Sequence, residues 1–149
     1  IYTPRTLFPY TTLFRSHTVF AASRNLSKTE GLPEEVHRVE LDVNSEASIA
    51  TGVAQIMREA GRIDILINNA GQGCVAPMIE VSMATFRQTF NVNVFGMVAM
   101  VQACAPHMVK QRSGTSKCAD LNAGNDTNEI KVVNIGSIVA WTPTPWAGV

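Results

Sequence analysis

Four short apolar runs, each stopped abruptly by polar residues or glycine, constrain this chain more than any other feature. They are His17–Ala22 (HTVFAA), Val36–Val43 (VHRVELDV), Ile63–Ile67 (IDILI) and Lys131–Ile135 (KVVNI). Runs of this length, rich in β-branched residues, read as strands. The segments between them carry a helical period instead. Asn44 and Ser45 offer caps for a helix reaching about Ala60, with Ile49, Val53, Ile56 and Met57 on one face and Gly61 as its stop. A short helix is expected from about Ser82 and a longer one from about Asn91 to Gln111. Apolar strands that alternate with amphipathic helices imply a parallel sheet covered on both faces. The expected class is therefore α/β, a doubly wound parallel sheet.

Composition narrows the function. With 149 residues, 46% of them hydrophobic and 16% charged, the chain has the make-up of one globular domain or most of one. Twelve basic residues balance twelve acidic ones, which argues against nucleic acid as a partner. Cys74, Cys104 and Cys118 form no metal-spaced pair, so no metal site is expected, and an odd cysteine count suits a reducing, cytoplasmic setting. The apolar stretch Phe95–Val109 is interrupted by Gln102, Pro106 and His107 and is too short to span a bilayer.

Two segments stand apart. Thr6–Ser16 (TLFPYTTLFRS) has no clean period, and it matches the in-frame translation of a common DNA-sequencing adapter. Residues 1–16 are therefore expected to lie outside the fold, with the domain spanning 17–149. Residues 115–130 are polar and aperiodic where neighbouring connections are short. They read equally as a surface loop insertion or as a retained intron, and neither reading places chemistry there.

In an open parallel sheet, ligands bind beyond the carboxyl ends of the strands. Arg24, Asp42, Asn68–Gly71 and Ser137 all fall there. Taken singly each has a bland explanation: a solvated arginine, a capping carboxylate, a turn, a loop hydroxyl. Asn93, within a helix, would ordinarily be a satisfied polar group. Their order is more specific. LDV (Leu41–Val43), DILINNAG (Asp64–Gly71), NVNVFG (Asn91–Gly96) and VNIGS (Val133–Ser137) together resemble the short-chain dehydrogenase/reductase family. Within it, NNAGQGC, NVFG and IGSIVAWTPTPW are most similar to the fungal NADPH-dependent 1-acyldihydroxyacetone-phosphate reductases, while hydroxysteroid and retinol reductases share much of the pattern.

The resemblance implies a Rossmann-like fold, NADPH/NADP as cofactor, a small-molecule carbonyl substrate and a homo-oligomeric parent. It implies a cytoplasmic location or the cytosolic face of the endoplasmic reticulum or lipid droplet. Arg24 matches the position beside the adenosine ribose, where arginine can take the 2′-phosphate of NADP in charge-assisted contacts. Asp42 and Val43 would border the adenine; Asn69, Ala70 and Gly71 would line the ribose side, with Asn68 fixing the turn. Asn93 matches the asparagine that holds a water in the proton relay, and Ser137 the serine that hydrogen-bonds the substrate carbonyl. Two features depart from the pattern. The phosphate-cradling T-G-x-x-x-G-x-G loop and its strand are not found in the sequence, and the catalytic tyrosine and lysine would be expected just beyond W-A-G-V. The expectation is a partial domain, lacking the first strand and the carboxyl-terminal half, and inactive by itself. A catalytically silent dinucleotide sensor is the third reading, of a different class.

Overall fold

The computed structural model describes residues 17–74, 76–77, 79–112 and 130–136. The adapter-like run, the 115–130 segment apart from Ile130, Ser137, Trp141 and Trp146 lie outside the described residues.

Strand β1 (Phe20–Ser23) pairs in parallel with β2 (His37–Glu40), with Phe20 opposite His37 and Ser23 opposite Glu40. Parallel neighbours need a crossover of about a dozen residues. Here it is residues 24–36, with a 3-10 turn at Leu26–Thr29 capped by Asn25, whose Oδ1 accepts from the Ser27 N–H at 2.9 Å. Arg38 pins this crossover to the sheet: its Nη2 donates to Leu32 O at 2.9 Å and its Nε to Thr29 O at 3.3 Å. Helix α1 (Glu46–Ala60) starts where Ser45 Oγ accepts from the Ser48 N–H. It ends at Gly61, whose φ of 71° is the left-handed conformation that a side chain disfavours. Its face Ile49, Gly52, Val53 is buried against β2.

Strand β3 (Ile65–Asn68) pairs in parallel with β4 (Lys131–Asn134). Asn68 does not act as the fixer of a turn. It closes β3, its Nδ2 donating to Asn134 Oδ1 at 3.0 Å while its carbonyl accepts from the Ile135 N–H at 2.9 Å. The two helices expected after Ser82 are continuous with one another. Ser82 caps α2 (Met83–Phe90), a six-residue π turn (Asn91–Gly96) follows without a break, and α3 (Met97–Arg112) completes the run. Met100, Cys104 and Met108, spaced four apart on α3, join Val39, Leu41, Ile49, Val53, Ile63 and Leu66 in the core. Near the end of α3, Gln111 clamps the approach to β3: Oε1 accepts from Ile63 N–H at 2.8 Å and Nε2 donates to Ile63 O at 2.9 Å.

The α/β class with parallel strand pairing is as expected, and two details differ. Among the described residues the strands form two separate two-stranded sheets, β1-β2 and β3-β4, in place of one. Second, the sheet is not covered on both faces by described residues, because Ile65, Ile67, Val133 and Ile135 are all exposed. Continuity through the π turn also lengthens the apolar helix: Met83–Gln111 is 29 residues and holds an 18-residue window of mean hydropathy 1.4, long and apolar enough to cross a membrane by length and composition alone. Met100, Cys104 and Met108 bury one side of it in the core, while Phe95, Val98 and Val109 are exposed.

Candidate functional site

One cleft of about 1630 Å³ runs along β1 and β3 and past their carboxyl ends. Arg24, Val43, Asn69, Ala70 and Gly71 line it, so five residues singled out in the sequence are brought together. Each is there because a strand has just ended. Arg24 follows Ser23 of β1, Val43 lies three residues past Glu40 of β2, and Asn69–Gly71 follow Asn68 of β3.

Arg24 is exposed and makes no ion pair or side-chain hydrogen bond among the described residues, leaving its guanidinium available to an anion. Asp42 and Asn93 do not line the cleft; they brace its walls. Asp42 is not the helix cap, a role Ser45 takes. Its Oδ1 accepts from the Asn44 N–H at 2.9 Å, and its own N–H donates to Ser48 Oγ at 2.9 Å, tying the turn to α1. Asn93 turns its whole amide to a backbone: Oδ1 accepts from Gln72 N–H at 2.9 Å and Nδ2 donates to Gln72 O at 2.9 Å. That is the pairing one strand residue offers another, and it fixes the loop after Asn69–Gly71. Gly71 has an ordinary backbone φ, and a Cβ there would stand 3.5 Å from Asn93 Oδ1, a normal contact. The fold itself therefore does not demand glycine at 71; a ligand approaching that backbone would.

Sequence reasoning missed three members of this region. His37, stacked on Phe20 at 4.6 Å between ring centroids, lines the cleft and holds Glu59, with Nδ1 3.1 Å from Oε2. The Glu59 carboxyl sits below its usual range because Gln55 donates to it, with His37 adding to the effect. Cys104 lies in the cleft wall, 2% exposed, and burial pushes its thiol up to about 11. Gln72 gave no signal at all, since only its backbone is used. No group of three metal-ligating side chains occurs among the described residues.

An exposed arginine and the Asn69–Gly71 turn face one cleft, an arrangement that can take an anionic ligand. Known proteins are similar to this chain in sequence and in fold. The chain is 32% identical over 134 residues to a 3-ketodihydrosphingosine reductase of Bacteroides thetaiotaomicron, covering 90% of this chain and 43% of that protein. It is 34% identical over 108 residues to human retinol dehydrogenase 8, covering 67% of this chain and 34% of that one. The chain thus spans less than half the length of these relatives. The fold matches a crystal structure of 3-ketoacyl-(acyl-carrier-protein) reductase from Brucella melitensis complexed with NADH, with a TM-score of 0.72 at 24% identity over 86% of this chain and 50% of that one. The family model for short chain dehydrogenases matches residues 11–116, beginning within the adapter-like run and extending through the cleft loops and α3. By sequence and by fold, the chain belongs to the short chain dehydrogenase family of oxidoreductases.

Proposed function

We propose that this chain is the dinucleotide-facing part of an NADPH-dependent carbonyl reductase. The observation that carries the reading is Arg24, exposed and unpaired among the described residues at the end of β1, on the same cleft as Asn69–Gly71. An acidic residue at that position would accept from the ribose hydroxyls and favour NADH. Arginine instead offers bidentate, charge-assisted bonds to a 2′-phosphate. In this reading Val43, held by the Asp42 turn, borders the adenine, and the Asn69–Gly71 backbone lines the ribose. Asn93 holds the loop and Ser137 receives the carbonyl oxygen. Bound NADPH supplies the hydride; the chain's residues bind and orient.

For substrate we favour the carbonyl of 1-acyldihydroxyacetone phosphate, reduced to 1-acylglycerol 3-phosphate, on the strength of NNAGQGC, NVFG and IGSIVAWTPTPW. The similarity to human retinol dehydrogenase 8 supports a second reading, a retinoid or hydroxysteroid substrate. A dinucleotide sensor without catalysis is the third. Y-x-x-x-K in the sequence following Val149 would favour an enzyme; its absence would favour the sensor. We further propose a homo-oligomeric parent that is cytoplasmic or lies on the cytosolic face of the endoplasmic reticulum or lipid droplet.

Titration of the chain with NADPH and NADH, in wild type and Arg24→Asp, tests the cofactor assignment. A charge-assisted contact contributes about 1.5–3 kcal/mol, so wild type should favour NADPH about ten- to a hundredfold, and the variant should lose that preference. An unchanged ratio would reduce Arg24 to a surface charge.

A further inference from the structure

Gly96, at the end of the π turn, has no role in any assignment above, yet its surroundings tolerate no side chain. It is buried, and a Cβ built there would lie 2.9 Å from Cβ and from Cγ2 of Val43 and 3.1 Å from the Val43 carbonyl oxygen. None of these is the free end of a flexible chain, so the Val43 backbone itself would have to move. Three residues earlier on the same turn, Asn93 grips Gln72 through two bonds of 2.9 Å. One short helical segment thus touches both walls of the cleft: Gly96 abuts the Asp42–Val43 turn, and Asn93 holds the Asn69–Gln72 loop. π turns of this kind are frequent at functional sites because the extra residue re-aims side chains.

The far end of the segment removes the easy ways to relax. Gln111 clamps Ile63 on the other side of β3. Ile63 precedes β3 and Gln72 follows it, so the two clamps flank the strand. The two amide clamps therefore hold β3 in register at both ends. Gly96 meets Val43 and not β3, so a displacement introduced there falls on the Asp42–Val43 turn.

We propose that Gly96 is a positioning residue: by letting the π turn lie directly on Val43 it sets the separation between the Asp42–Val43 turn and the Asn69–Gln72 loop, and with it the affinity of the cleft for a dinucleotide. The affinity part rests on the reading given under Proposed function; the spacing part does not. Gly96→Ala moves the Val43 wall outward while leaving the Asn93 grip on its own side intact.

The experiment compares wild type, Gly96→Ala and a control core variant, Met108→Leu, by NADPH titration and by residue-resolved amide hydrogen exchange on the full chain. Gly96→Ala should raise the NADPH dissociation constant at least tenfold and speed exchange at Asn44, whose N–H bonds to Asp42, at least tenfold. Exchange at Val39 and Gln72 should stay within about threefold of wild type. Met108→Leu, which perturbs the core away from the turn, should leave Asn44 exchange and the dissociation constant unchanged. Unaltered Asn44 exchange in Gly96→Ala overturns the proposal, as does faster exchange spread equally over Val39 and Asn44. If wild type binds no NADPH, the dinucleotide reading fails, and the exchange pattern still decides the spacing. Should Gly96→Ala not fold, Val43→Gly is added to it, removing the Cβ and Cγ2 that the new methyl meets: recovered folding supports the contact, and no recovery refutes it.

Discussion

Replacing Gly52 by alanine sets two known effects against each other at one site. Glycine in the middle of α1 costs about 0.5–1 kcal/mol relative to alanine, so on propensity alone Gly52→Ala should stabilise. The packing says otherwise. A Cβ at Gly52 would stand 2.6 Å from Leu41 Cδ1, 3.2 Å from Val39 Cγ1 and 3.3 Å from Leu41 Cγ. Leu41 is 4% exposed and Val39 fully buried, so neither can swing into solvent. Overpacking of this kind costs about 1–3 kcal/mol. The net expectation is a loss of about 1 kcal/mol, which for a domain of this size lowers Tm by about 3 °C. Urea melts followed by circular dichroism should show a lower midpoint with an unchanged slope. Leu41→Val in the same chain removes the δ carbons that the new methyl meets. The double variant should therefore lose about 1 kcal/mol less than the sum of the singles. A Gly52→Ala chain as stable as wild type, or additivity in the double variant, would show that α1 does not rest on β2 as tightly as these distances require.

The remaining expectations concern the cleft wall and the clamp. With its thiol raised by burial to about 11 against an ordinary 9.0, Cys104 should carry about a hundredfold less thiolate at pH 8 than an unperturbed thiol. Peptide mapping after iodoacetamide should find Cys74 alkylated long before it; equal rates would mean that the wall opens readily. The same shift fixes a pH dependence. The folded thiol holds its proton where the unfolded one has lost it, so this stabilisation is complete below pH 9 and is lost as pH rises towards 11, which alkaline melts of wild type and Cys104→Ala would reveal. Gln111→Leu leaves both polar groups of Ile63 without their partners in a part-buried setting and should cost about 1–3 kcal/mol, read as a lower urea midpoint. A variant as stable as wild type would show that the clamp is incidental.

Much of the local architecture is legible in the amino-acid sequence alone. Ser45 and Gly61 bracket α1 as their chemistry demands: a short side-chain oxygen satisfies the first orphan amides, and only glycine takes a φ of 71° without strain. Ser82 likewise starts α2. The four strands overlap the apolar runs, with ends displaced by up to three residues and β1 and β3 running one residue past them, because pairing partners, and not apolar character, decide where a ladder stops. The gathering of Arg24, Val43 and Asn69–Gly71 follows from topology alone, since parallel strands deliver their carboxyl ends to one edge.

What the sequence could not carry depends on distant pairs. Nothing local announces that α2 and α3 run together through a π turn; that geometry exists because Asn93 meets a backbone 21 residues away and Gly96 meets Val43. The amide of Gln111 looks like any surface glutamine until Ile63 is set against it, 48 residues off in the chain. The elevated Cys104 thiol comes from the apolar walls around it, and the separation of the strands into two pairs comes from which edges find partners among the described residues. Capping, turns and periodicity are short-range and are written in neighbouring residues. Clamps, close approaches and desolvation are set by groups far apart in sequence, so only the tertiary structure could decide them.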